Sequence, residues 1–114
     1  MLFPIYKAAI RAEAVKPAYS TLNQKLEAYT GRVMGYTVYI TDIQRVEDEY
    51  VIFAAMTRTE KGKLKNVIVI TTEEEPAFTA GSEQKFYGRL TGTYEIQSEE
   101  GTENHPAFEL LFWD

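Results

Sequence analysis

Several residue types that build common functional sites are missing from this sequence or nearly so. It has no cysteine and one histidine among 114 residues, which excludes disulfide frameworks, thiolate zinc sites, cysteine nucleophiles and histidine-rich metal sites. Seven glycines and four prolines are too few for a low-complexity chain. No apolar run approaches the ~18 residues of a membrane span. The length predicts one globular domain that buries roughly 60–70% of its unfolded surface.

Positive charge is scarce and unevenly placed. The chain has 12 basic and 17 acidic residues, for a net charge of −5. Residues 1–32 carry five basic and two acidic residues, whereas residues 33–114 carry seven basic and fifteen acidic residues. Proteins that bind nucleic acid usually have a basic patch or a basic overall charge, so this balance argues against that class. The start of the chain lacks the features of a signal peptide, although the sequence could be one domain of a longer protein.

Two helices are predicted before the strands begin. Apolar residues at helical spacing and Pro4 in the first turn indicate a helix over residues 1–16, which Pro17 ends. A second helix over 21–30 would begin at a capping box of Thr21 and Gln24.

From Arg32 onward the apolar residues alternate with a period of two, which is typical of strands. The first strand, 32–46, changes phase at Gly35, which we interpret as a β-bulge. Strand 66–72 is apolar on both faces, so we expect both faces to be covered. The other predicted strands are 50–57, 85–97 and 107–113, and the predicted connections are an acidic turn at 47–49, a hairpin loop at 58–65, and loops at 73–84 and 98–106.

Five strands, two of them long and containing glycine, predict a small closed barrel, since closure removes exposed sheet edges. The fold class is therefore mainly β: a five-stranded OB-fold-like barrel over residues 20–114, preceded by an N-terminal helical extension over 1–19. The predicted core consists of Val38, Ile40, Phe86, Leu90, Tyr94, Ile96, Phe108, Leu110 and Phe112.

Two stretches resemble a known family. The segment YSTLNQKLEAYTGRVMGYTVYI is similar to the opening of bacterial tRNA-anti-like OB-fold domains, where a helix ending in Tyr-x-Gly leads into a strand with a second glycine. The segment from Ala80 to Asp114 resembles their ending, with Gly81, Gly88, Gly92 and Pro106 at the matching positions. The resemblance covers roughly residues 19–114 and implies an OB-fold. It also implies an exported or membrane-anchored bacterial protein, the alternative being the cytoplasm, and nucleic-acid binding by analogy of fold alone.

Residues that could perform chemistry are few. His105 is expected in a solvated loop near Glu103, without a nucleophile motif around it. The acidic runs at 47–49, 73–75 and 99–100 lack the spacing of an EF-hand loop. Phosphate-binding glycine motifs are absent as well. We therefore expect no enzyme, no metal site and no cofactor.

A binding surface is the better expectation. OB-folds bind ligands on the face of strands two and three and on the adjoining loops, and single-strand binders combine basic grooves with aromatic rings. The candidate binding residues are Tyr50, Phe53, Arg58, Lys61, Lys63, Lys65 and Arg89. Acidic residues in the loops 46–49 and 98–106 would repel phosphate, so we favour a non-catalytic module that binds a protein or cell-envelope partner, or associates with itself. The alternative is a weak single-stranded nucleic-acid binder.

Overall fold

The computed structural model describes residues 4–114 and confirms the five-stranded, mainly β fold. Three short helices precede the strands. The helices are α1 (Pro4–Glu13), α2 (Tyr19–Gln24) and α3 (Leu26–Tyr29), and the strands are β1 (Val33–Val46), β2 (Glu49–Arg58), β3 (Leu64–Thr72), β4 (Glu83–Ser98) and β5 (Gly101–Trp113).

The strands close into an OB-fold-like barrel in the order β1-β2-β3-β5-β4, with β4 paired back to β1. Strands β3 and β5 are parallel over residues 69–71 and 107–109, and the other neighbouring strands are antiparallel. Closure gives most backbone N–H and C=O groups a partner strand and leaves only short free edges where the hairpins extend beyond the ring.

The barrel interior holds the main core. Phe86 and Phe108 are fully buried with ring centroids 5.4 Å apart, and Tyr36 lies edge-on to Phe108 at 6.2 Å. In β3, three successive residues, Ile68, Val69 and Ile70, have no exposed surface. This confirms that both faces of the apolar strand are covered. The residues that cover them belong to the same chain.

The irregularity in β1 lies six residues beyond the predicted position. Residues 33–39 pair with β4 in unbroken register, and the pairing with β2 shifts at Thr41. Gly35 is not a bulge. A glycine is required at this position because a Cβ would lie 2.5 Å from the Tyr87 ring. The absence of a side chain leaves room for the tyrosine on the neighbouring strand.

Phe112 is buried, but outside the barrel, which corrects its predicted inward face. Leu111 has no partner in β4, because Tyr87 pairs with Phe112 while Gly88 pairs with Leu110. The extra residue reverses the alternation. Phe112 therefore stacks on Tyr87 at 5.0 Å and packs with Ile10 of α1.

Tyr94 and Ile96 are only half-buried, so the predicted core was too large at this end of β4. Leu110, the register partner of Gly88, is also half-buried but packs against the core. Pairing between β4 and β5 shifts at Thr91, and Gly92 has a φ of +140°. Glycine adopts this backbone conformation without strain. The β4–β5 hairpin leaves the barrel beyond this point, so alternation no longer places side chains inside.

The predicted helix over 21–30 is two helices that meet at Lys25, whose φ of −123° breaks the helix. The capping box does not form, since the helix begins at Tyr19 after Ala18 and no side chain caps it. Gly31 has a φ of +89° immediately after the helical segment, the conformation that favours glycine there. Leu22 is fully buried in the barrel core, so these helices cover one opening of the barrel.

Helix α1 lies on the outside of the barrel. Its predicted first residues, 1–3, lie outside the described part of the chain, and it ends at Glu13 rather than 16. Val15 then bridges to Met34. Arg11 donates hydrogen bonds to the Asp114 carboxylate, which raises the pKa of Arg11 and lowers that of Asp114. Within residues 4–114, no helix has the length and apolar character needed to cross a membrane.

Candidate binding surfaces

Four of the predicted binding residues lie together on one exposed hairpin. Arg58 ends β2, Lys61 and Lys63 lie in the turn, and Lys65 follows in β3. The turn is held by hydrogen bonds between Thr59 and Lys63 in both directions. Gly62 has a φ of +81° there. We call residues 58–65 the basic hairpin. Its four cations are exposed, and one acidic residue, Glu60, lies among them.

The two aromatic candidates do not join this hairpin. Tyr50 lies at the opposite end of β2, under the guanidinium of Arg45 at 5.8 Å. Tyr50 and Arg58 are eight residues apart, which is about 26 Å along an extended strand. Phe53 is half-buried because the Tyr94 ring packs edge-on against it at 6.1 Å. Neither ring is therefore placed to stack a base beside the basic hairpin.

Arg89 lies on a different part of the barrel. It is in β4, which pairs with β1 and β5 and not with β2 or β3. Its Nη1 donates a hydrogen bond to the carbonyl oxygen of Gly31 at 2.8 Å, and Glu109 is its register partner in β5. The structure thus gives Arg89 a position at the helix–barrel junction, away from the basic hairpin.

The strand register brings together two acidic runs that are far apart in sequence. Glu47 and Asp48 form the β1–β2 turn, Glu49 begins β2, and residues 73–75 follow directly after β3. Because Tyr50 pairs with Thr72, both runs lie at the same end of the β2–β3 pair. We call residues 47–49 and 73–75 the acidic end.

A groove of about 810 Å³ opens at the acidic end. Its lining includes Glu49, Glu73 and Glu74, together with Glu109 of β5, and Lys7 of α1 is the one basic residue in the described part of this lining. Sequence reasoning did not find this grouping, although the hairpin lengths imply that 47–49 and 73–75 meet. The contribution of Glu109 depends on the parallel β3–β5 pairing, for which the sequence has no local signal.

The predicted loop over 98–106 is instead a tight turn at Glu99-Glu100, and β5 begins at Gly101. His105 is therefore a strand residue with 15% of its side chain exposed, rather than a solvated loop residue. Its Nε2 lies 3.2 Å from Oε2 of Glu103, and its buried Nδ1 has no hydrogen-bond partner among the described residues. Among residues 4–114, no three His, Asp or Glu side chains are grouped so that they could hold a metal ion.

Charge is thus separated along β2. The acidic end lies at its first residue and the basic hairpin at its last, about 30 Å apart for a strand of ten residues. The chain matches no model of a known protein family, no curated protein and no solved structure in the comparisons made.

Proposed function

We propose that this protein is a non-catalytic OB-fold-like binding module whose partner is another protein, with the acidic end as its docking surface for basic side chains. The observation that supports the proposal is the separation of charge along β2. Six carboxylates from two distant segments lie beside a groove that contains a further glutamate. Such a field attracts a basic surface and orients it before contact. The resemblance to tRNA-anti-like domains adds the cell envelope as the setting.

A second copy of the chain is the partner for which the structure supplies a complementary surface. The basic hairpin projects from the opposite end of β2, so one copy can offer its hairpin to the acidic end of the next. This contact is heterologous, because two different surfaces meet. A hairpin tip buries less area than a standard stable interface, and the net charge of −5 opposes association. The contact should therefore be weak and strongly dependent on salt.

Sedimentation velocity with charge-reversal variants tests this arrangement. One variant carries Lys61→Glu, Lys63→Glu and Lys65→Glu, and the other carries Glu47→Lys, Glu73→Lys and Glu74→Lys. At low salt the wild type should associate, each variant alone should associate less, and an equimolar mixture of the two should form heterodimers. Added salt should dissociate all of these species.

The matched control reverses three charges elsewhere, with Glu95→Lys, Glu99→Lys and Glu100→Lys on the β4–β5 hairpin. It should associate at least as strongly as the wild type, because it lowers the net negative charge and leaves both proposed surfaces intact. A wild type that stays monomeric at low salt, or a mixture that shows no heterodimer, would contradict the second copy as partner. If a lysine-rich peptide also failed to bind the acidic end, the docking surface itself would be rejected.

The alternative function is single-stranded nucleic-acid binding, favoured by the four exposed cations of the basic hairpin. Binding to a thymidine oligonucleotide should be weak, since a few phosphate contacts each add roughly −0.7 to the salt slope and are lost at physiological salt. The variant Lys61→Ala, Lys63→Ala, Lys65→Ala separates the two functions. Tight binding at physiological salt that this variant abolishes would make nucleic acid the ligand.

Catalysis is not part of the proposal, because no described side chain places a nucleophile beside a general base. His105, paired with Glu103, is the residue to test. Hydrolase and nuclease substrates should give background rates with the wild type. Turnover that disappears in His105→Ala would show that the protein is an enzyme.

A further inference from the structure

A second groove lies at the root of the basic hairpin, away from the acidic end. It has a volume of about 560 Å³, within the range of small-molecule sites. It is formed where the linker between α1 and α2 crosses three strands, and we call it the linker groove. Its lining residues are Lys16, Pro17, Ala18, Tyr19, Ser20, Tyr36, Thr37, Met56, Thr57 and Asn66.

The walls of the linker groove are fixed by hydrogen bonds to the barrel. The Tyr36 hydroxyl donates to the carbonyl oxygen of Pro17 at 2.6 Å, and the Tyr19 hydroxyl donates to that of Val67 at 3.2 Å. Burial raises the pKa of both phenols, so both stay protonated donors at neutral pH. Next to Lys16, the backbone N–H of Val15 also donates a hydrogen bond to the carbonyl oxygen of Val33 at 3.0 Å. A groove held at three points needs little ordering when a ligand enters, which favours binding.

Asn66 occupies an unusual position in this wall. Its φ is +64°, in the left-handed region that asparagine tolerates better than most residues. Its Nδ2 donates to Oγ1 of Thr57 at 2.8 Å. That bond uses a lone pair of the threonine oxygen and leaves the threonine O–H free to donate. Strained backbone of this kind is found disproportionately at binding sites.

The sign of the local charge is positive despite the acidic composition. Among the described residues that line the linker groove, none is acidic and Lys16 is basic. Arg58 and Lys65 adjoin Thr57 and Asn66 in the chain. Burial, and after it the negative charge of Glu103, raises the pKa of Tyr19, so Glu103 acts on one wall of the groove from outside its lining.

We infer that the linker groove binds a small ligand that combines a phosphate with a planar ring, of the class of nucleoside monophosphates. Lys16 and the hydroxyls of Ser20, Thr37 and Thr57 supply a cation and donors for the phosphate. Tyr19 and Met56, both half-buried, supply aromatic and apolar surface for the ring. The Tyr36 ring is buried in the barrel core, so Tyr36 contributes only its hydroxyl end to the groove. This site does not depend on the proposed protein partner, and it lies apart from the acidic end.

Titration of the full chain with adenosine monophosphate, followed by NMR of the backbone amides, tests this inference. Adenosine and inorganic phosphate are the comparison ligands, since each carries one half of the proposed chemistry. Shifts should map to residues 16, 18–20, 36–37, 56–57 and 66, since Pro17 has no backbone N–H. The monophosphate should bind about tenfold more tightly than either comparison ligand, because both parts of the groove are then used.

Charge variants make the test specific. Lys16→Gln should weaken binding of the monophosphate about tenfold, because it removes one charge-assisted contact with the phosphate. Lys25→Gln, an exposed lysine at the α2–α3 junction, should leave binding unchanged. Glu103→Gln should strengthen binding by removing the nearby negative charge. Equal binding by Lys16→Gln and Lys25→Gln, equal binding of adenosine and its monophosphate, or no shifts at millimolar ligand would overturn the inference.

Discussion

Replacing Phe108 by alanine tests the assignment of the barrel core. Phe108 is fully buried and contacts the rings of Tyr36 and Phe86. Removal of a phenylalanine ring from such a site costs about 3–5 kcal/mol, through lost burial and the cavity left behind. A domain of 114 residues has a total stability of about 6–17 kcal/mol. The variant should therefore fold, with a melting temperature lower by about 12–20 °C at about 4 °C per kcal/mol.

Phe112→Ala is the informative companion because its ring lies outside the barrel. Phe112 is 6% exposed, stacks on Tyr87, and has the cations of Lys7 and Arg11 over its ring at 5.2 and 5.4 Å. Its loss removes the surface on which α1 docks. Hydrogen exchange should become fast in α1 while the barrel amides stay protected, since local opening differs from global unfolding.

The pair of variants is measured by thermal melting and by amide hydrogen exchange. For Phe108→Ala, protection should fall throughout the barrel, because its most protected amides exchange through global unfolding. An unchanged melting temperature for Phe108→Ala would refute the inward face of β5. Loss of protection throughout the barrel in Phe112→Ala, with α1 unaffected, would refute the bulge at Leu111 and the position of α1.

Substitutions at three further positions test local features. Gly35→Ala should destabilise the fold by about 1–3 kcal/mol in chemical denaturation, because the new Cβ must displace the Tyr87 ring; an unchanged midpoint would reject that close approach. Asp114→Asn should speed exchange in α1 at neutral pH. The pKa of Asp114 is lowered by its hydrogen bond to Arg11, so the stabilisation is present above the ordinary value of 3.8 and is lost as pH falls through the lower value in the folded protein. The difference between Asp114→Asn and wild type should therefore vanish at strongly acidic pH, and a difference that persists there would contradict the ion pair. Asn66→Gly should be more stable than Asn66→Ala by about 1 kcal/mol, since alanine is strained at a φ of +64°; equal melting temperatures would argue against the left-handed conformation.

The sequence predicted the structure best where alternating apolar residues or a glycine position determine the local backbone conformation. The five strands, the covered strand β3 and the conformation of Gly31 all follow from such signals. The errors arose where a single unpaired residue changes the alternation. Leu111 and Thr91 are ordinary strand residues, and nothing in their identity marks a bulge. Near Gly35 the alternation changes because successive buried side chains pack against different parts of the structure. Val33 packs beneath α1, whereas Met34 faces the barrel interior.

The candidate surfaces were predictable only in part. The basic hairpin is continuous in sequence, so its four cations could be grouped from spacing alone. The half-burial of Phe53 was not predictable, because the ring that packs on it, Tyr94, comes from a hairpin that leaves the barrel. The acidic end needs the β2–β3 register, and the linker groove needs the crossing of residues 16–20 over three strands. The hairpin lengths imply the acidic end, but the linker groove has no local signal in the sequence.

The most direct test of the proposed function is a concentration series of amide NMR spectra on the wild type at low salt. The charge separation along β2 predicts that shifts grow with protein concentration at both the acidic end, residues 47–49 and 73–75, and the basic hairpin, residues 58–65. The β4–β5 turn at 98–101 should not change, and physiological salt should reverse the shifts. Concentration-dependent shifts confined to other surfaces, or none at either end of β2, would contradict association through these two surfaces.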